Sequence, residues 1–146
     1  MRHFHTALLC LAALLMCAQG KAEVKHLTTA EFKDKIFDYS KNKEWSYQST
    51  KPCVVDFYTT WCGPCKRLAP IMDKLSETYK GQVDFYKVDT EQERELAYVF
   101  QINSIPQVLY VPVKGKPTLL KGLYPEENIV QIIDELLLGK KLQQEQ

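Results

Sequence analysis

The apolar positions of this chain change period several times, and each change predicts an element. Val24–Leu27 reads as a short first strand. Phe32, Ile36 and Phe37 recur at helical spacing behind Thr28 and Thr29, which predicts a capped helix to about Tyr39. Lys41–Pro52 is polar and loop-like, with Trp45 and Tyr47 expected to anchor it by packing. Cys53–Thr60 reads as an apolar run, the pattern of a central strand buried on both faces. Leu68, Ile71, Met72, Leu75 and Tyr79 place a long helix over Cys62–Lys80, with Pro70 as a kink and Gly81 as its stop. Val83–Val88 is the next strand, and Glu93–Phe100 a short helix expected to bury Leu96, Val99 and Phe100. Gln107–Val111 and Lys116–Lys121 flank Lys114-Gly115 as a hairpin. Pro125 opens a last helix with Glu126 and Glu127 at its N-terminal dipole. Ile129, Val130, Ile132, Ile133, Leu136 and Leu137 form its apolar stripe, and Gly139 ends it. The order β-α-β-α-β-α-β-β-α predicts an α/β fold: a mixed five-stranded sheet with helices on both faces.

The N-terminus follows a different pattern. Met1-Arg2-His3-Phe4-His5 carries positive charge, and Ala7–Ala18 is apolar without a break. Small residues follow at Ala18 and Gly20. These are the three regions of a secretory signal peptide, too short to span a membrane comfortably as a mature helix. Cleavage is expected after Gly20, with a site after Ala22 as the alternative. Residues 1–20 are therefore read as a signal and 21–146 as one domain, its core about 24–138 and its tail polar. Lipid modification at Cys17 is the competing reading, but Met16 stands where a small residue is expected.

Composition adds limits. The 146 residues are 45% hydrophobic and 25% charged, ordinary for one soluble domain. Removing residues 1–20 takes away Arg2 and no acid, so Lys+Arg falls from 19 to 18 against 18 Asp+Glu. That balance offers no basic surplus for nucleic acid or an anionic membrane. The five cysteines fall to Cys53, Cys62 and Cys65, too few for a disulfide scaffold.

The chemistry is concentrated at Trp61-Cys62-Gly63-Pro64-Cys65, where a strand is predicted to end and a helix to begin. Unpaired N–H groups at a helix N-terminus favour a thiolate there and lower its pKa. Pro64 suits the first turn, because the N–H it lacks would have no partner. Positions i and i+3 share a helix face, so Cys65 can attack a mixed disulfide formed at Cys62. Half a zinc site is the alternative for C-x-x-C, but only Cys53 and His26 remain as further ligands. Asp56 is a carboxylate inside an apolar strand, where burial raises its pKa.

From about Val24 to Leu138 the chain resembles the thioredoxin family. The run Trp61-Cys62-Gly63-Pro64-Cys65-Lys66 matches its active-site motif. Asp56 matches the family's buried aspartate, Lys87 a lysine on the neighbouring strand, and Ile105-Pro106 the segment with a cis-proline opposite the dithiol. Pro70, Gly115 and Gly122 match a kinking proline, a hairpin glycine and a glycine beside the substrate groove. The resemblance implies a thiol-disulfide oxidoreductase with no metal or organic cofactor, and the signal pattern of residues 1–20 implies that it is exported to the periplasm. Cys62 would attack, Cys65 would resolve, Asp56 would take the Cys65 proton, and Lys87 would modulate Asp56. Trp61, Gly63, Pro64, Ile105, Pro106 and Gly122 would dock the client, which would pair with the backbone before Pro106. Disulfide-containing client proteins are the implied partners, with a membrane thiol as electron donor and the chain itself a monomer. Gly63-Pro64 resembles the reducing members; an oxidase or isomerase role is the alternative, and a non-catalytic module of the same fold the rival class. Four departures stand out: Tyr58 where tryptophan is frequent, Gln107 where threonine is common, a long Lys41–Pro52 connection, and the extra Cys53. Gln107 is expected to tune substrate choice, and Cys53 to pack as a small hydrophobe.

Overall fold

Side chains alternate between two apolar clusters along the central strand. The computed structural model describes residues 22–140. The expectations for residues 1–20 lie outside them. Five strands form one sheet: β1 (Lys25–His26), β2 (Cys53–Tyr58), β3 (Asp84–Asp89), β4 (Gln107–Val111) and β5 (Thr118–Lys121). Their order is β1-β3-β2-β4-β5. β3 is parallel to β1 and β2, whereas β4 is antiparallel to β2 and β5. Among the described residues, four helices accompany them: α1 (Thr29–Lys35), α2 (Gly63–Thr78), α3 (Arg94–Val99) and α4 (Glu126–Ile132). A π-helical segment, Ile133–Leu137, continues α4. This is the mixed five-stranded sheet that the pattern predicts.

β2 is central, and its period of two feeds both clusters. Val54 joins Leu68, Met72, Phe85, Tyr110 and Ile129 under α2 and α4. Cys53, Val55 and Phe57 join Phe32, Val88, Leu96 and Leu109 under α1 and α3. Burial on both faces explains the unbroken apolar run. Cys53 is a free, buried cysteine whose thiol burial pushes up to about 12, so it is an inert hydrophobe.

α1 carries the capping box its sequence signals. The Thr28 hydroxyl accepts the Glu31 N–H, and the Glu31 carboxylate accepts the Thr28 N–H. A second acid also serves this end. Glu93, just before α3, accepts the Thr29 N–H at 2.8 Å and its hydroxyl at 2.6 Å. Glu93→Ala is expected to cost about 1–2 kcal/mol in urea unfolding, because it orphans a helix-start donor across two elements. An unchanged urea midpoint would reduce this contact to a surface ornament.

Several boundaries differ from the sequence reading. α1 stops at Lys35 rather than near Tyr39, because the chain turns there: Ile36 O accepts the Gln48 N–H at 3.0 Å. Phe37 then stacks on Trp45 with ring centroids 4.7 Å apart. The polar segment is thus anchored by Trp45, and by Tyr47, which donates to Lys51 O at 2.6 Å. Val99 and Leu136 are exposed, not buried. Leu136 lies in the π-helical segment, where the Leu138 N–H bonds to Ile133 O. The wider turn rotates Leu136 outward and leaves Leu137 in the core.

Candidate active site

β2 ends at Tyr58, and three residues of loop carry the chain to Cys62, the N-cap of α2. Cys62 has extended backbone, and its Sγ accepts the Cys65 N–H at 3.2 Å. The sulfur therefore occupies the place of a capping oxygen, facing the positive end of the helix dipole. Pro64 sits in the first turn, where its missing N–H costs nothing. Cys62 and Cys65 are joined in a disulfide with Cα atoms 5.3 Å apart.

The two sulfurs have different surroundings. Cys65, Leu68 and Met72 follow helical spacing on the α2 face turned to the sheet, and all three are buried. Cys62 sits at the helix end, its Sγ 3.8 Å from the Ile105 carbonyl oxygen. Both cysteines of the disulfide are nearly covered: Cys62 is 5% exposed and Cys65 3%. The open surface belongs to Trp61, 65% exposed, whose Nε1 donates to Glu91 Oε1 at 2.9 Å.

Ile105–Pro106 is a cis peptide bond. Ile105 is half-buried, while Pro106 and Gln107 are buried. Pro106 O accepts the Gly122 N–H at 2.8 Å, which brings the start of β4 against the end of β5. Gly122 has φ +97°, a conformation that strains any residue with a Cβ. Gly63 is under no such demand: a Cβ there would meet only Arg67 Nη1, at 3.9 Å. Trp61 and Leu123, the chain neighbours of Cys62 and Gly122, are exposed.

Asp56 lies on β2 opposite Lys87 of β3 and Val108 of β4. Strand alternation puts it with Val54 on the α2 face, the face that also receives Cys65. It is 5% exposed, and its Oδ1 has no hydrogen-bond partner among the described residues. Burial pushes its carboxyl up to about 7, and the Lys87 charge offsets only part of that. Lys87, half-buried, also lines an open cavity of about 390 Å³ beside Val24 and Asp73. Tyr110 shares the face, and its hydroxyl is pushed up by burial first and then by Asp56. Among the described residues, no group of three or more His, Cys, Asp or Glu could hold a metal ion.

Comparison with known proteins fits this geometry. A family model described as Thioredoxin matches residues 23–135. The chain belongs to the thioredoxin family. A thioredoxin from Borreliella burgdorferi is 44% identical over 109 residues, 75% of this chain and 93% of that protein. A Staphylococcus aureus thioredoxin is 38% identical over 85 residues, 58% of this chain and 81% of that protein. Among solved structures, a thioredoxin from Malassezia sympodialis superposes with TM-score 0.62 at 28% identity, covering 77% of this chain and 90% of that one. Chloroplastic thioredoxin z shares the fold at TM-score 0.66 and 23% identity, covering 78% of this chain and 94% of that one. As a member of the thioredoxin family, the chain is a thiol-disulfide oxidoreductase that acts on disulfide-containing proteins.

The structure brings Cys62, Ile105, Pro106 and Gly122 together at one end of the sheet, with Asp56 and Lys87 paired within it. Glu91 holds the Trp61 indole, and the Arg67 guanidinium lies against Gly63. Neither is marked by a motif, because each acts through proximity that only folding creates. Gln107 runs against expectation. It is fully buried, so it cannot tune substrate choice by touching the client.

Proposed function

We propose that this chain is an exported thioredoxin that reduces disulfides in client proteins outside the cytoplasm. The observation that carries the reading is the Cys62 sulfur at the α2 N-terminus, capped by the Cys65 N–H and facing the Ile105 carbonyl. In the reduced protein the Cys62 thiolate attacks one sulfur of a client disulfide and expels the other as a client thiol. The client segment pairs with the backbone at Ile105, beside Trp61 and Gly122. Asp56, a carboxylate with its pKa near 7, takes the proton from Cys65. The Cys65 thiolate attacks Cys62 Sγ and releases the second client thiol. The client has gained two electrons, and Cys62–Cys65 holds the disulfide seen here.

No metal or organic cofactor enters these steps. Regenerating the dithiol needs two electrons, and an oxidising compartment does not supply them. A membrane-embedded dithiol is the donor this reading requires. Without it the protein would rest oxidised and act as a weak oxidase or isomerase. The chain works as a monomer, since each step uses groups of one copy.

Three experiments test the proposal. Insulin reduction by dithiothreitol should be accelerated by the protein, and cells expressing it should hold Cys62–Cys65 mostly reduced. No acceleration would refute the reductase reading, whereas a mostly oxidised pair in cells would favour the oxidase direction. Export is tested by mass. The mature chain is expected to begin at Lys21 and carry no lipid, given the unbroken apolar run Ala7–Ala18. An acylated Cys17 on the exported protein would replace this reading with an anchored one.

A further inference from the structure

We infer that Gln107 is a positioning residue for client binding, because its buried side-chain amide orients the peptide unit that presents the Ile105 N–H. The inference rests on the proposal above that clients pair along Ile105. Gln107 is the first residue of β4, opposite Phe57 on β2 and Lys121 on β5, and is 0% exposed. Its Nε2 donates to the Ser104 carbonyl at 2.8 Å and lies 3.4 Å from the Ser104 hydroxyl. The bond closes a ring from Ser104 through Ile105 and Pro106 back to Gln107.

The consequence follows from amide planarity. The Ser104 carbonyl and the Ile105 N–H belong to one peptide unit, rigid and trans, so they point in opposite directions. Pulling the carbonyl inward onto Gln107 aims the N–H away from the core. No bond occupies that N–H among the described residues. The next two carbonyls are also committed: Ile105 O faces Cys62 Sγ, and Pro106 O accepts the Gly122 N–H. Ile105 is thus held on both sides, by Gln107 before it and by Gly122 after it, and its N–H is left for a client carbonyl.

Stability does not account for this amide. Gln107 Oε1 is buried without a hydrogen-bond partner among the described residues, a cost that an apolar side chain of the same length would avoid. Ser104 is exposed, so its carbonyl can turn to water once released. Methionine has nearly the shape of glutamine without its donors or acceptor. Gln107→Met should therefore keep the fold, with a urea midpoint equal to or above that of the wild type, and lose only the orientation of the Ile105 N–H.

The test compares a protein disulfide with a small one. Gln107→Met is expected to raise KM for insulin roughly three- to tenfold, the worth of one pre-aimed hydrogen bond. The rate with cystamine and the alkylation rate of Cys62 should stay within about twofold, since neither reagent needs the docking edge. Ser104→Ala keeps the carbonyl and should behave as wild type. In the unaltered protein, the Gln107 side-chain amide protons should exchange slowly by NMR. An unchanged insulin KM, an equal loss with both substrates, or rapid exchange of those protons would overturn the assignment. Wild-type protein inert toward insulin would instead sink the reductase reading, leaving amide exchange to judge the clamp.

Discussion

Replacing Cys65 by serine is expected to turn the protein from a catalyst into a trap. The first attack needs only Cys62, which caps α2 and stays intact in this variant. Release needs a second thiol one helical turn away, and serine is not a nucleophile for sulfur at neutral pH. A thiol held in alignment reacts with an effective molarity that reaches ~10⁵ M or more in the best cases, so millimolar external thiol cannot replace it. Insulin turnover should fall by about a thousandfold or more, and non-reducing gels should show Cys65→Ser joined to clients. Cys62→Ser should lose turnover equally and trap nothing. In the reduced wild type, iodoacetamide should reach Cys62 faster, because Cys65 is packed with Leu68 and Met72 on the sheet-facing side of α2. Trapping by Cys62→Ser alone would exchange the two roles.

The second large effect concerns Asp56, where stability and activity should move in opposite directions. Burial holds this carboxyl at about 7 in the folded protein against an ordinary value of 3.8. Between those two values the folded chain keeps a proton that the unfolded chain releases. Stability should therefore fall as pH rises from about 4 to 7 and then level off. A shift of that size corresponds to about 4 kcal/mol lost above the folded pKa. Asp56→Asn has no such dependence. An amide at this site is still a buried polar group, so the net gain at pH 8 should be nearer ~1–3 kcal/mol. Urea unfolding of oxidised wild type and variant across pH 4–8 reads both slopes, and parallel slopes would place the charge cost elsewhere. Turnover should respond the other way. The amide cannot take the Cys65 proton, and loss of a general base typically costs ~10²–10⁴ in rate. The deficit should shrink at high pH, as hydroxide deprotonates Cys65 without help. Unchanged insulin reduction by Asp56→Asn would leave the carboxylate as a costly core group and nothing more.

Much of this architecture is written locally. The apolar run from Cys53 requires a strand buried on two faces, and Thr28 with Glu31 closes a capping box before α1. The spacing of Cys62 and Cys65 behind a strand requires one sulfur at a helix end and the other inside its first turn. These features depend on neighbours within four residues or on the period of burial, and both are legible along the chain. Asp56 was legible too, as the one charge in that apolar strand.

What the sequence could not decide depends on contacts between distant segments. Helix spacing through Tyr39 gave no sign that Ile36 O would pair with Gln48, nor the stripe through Leu137 that a π turn would rotate Leu136 into solvent. The indole of Trp61 is held by Glu91, thirty positions away. The same limit applies to Gln107, whose departure from the family's common threonine pointed to substrate choice. Folding instead buries it between β2 and β5, where the Ser104 carbonyl is the group its amide reaches. Period and motif report which side chains leave water. Which polar groups they then meet is set by how the sheet closes.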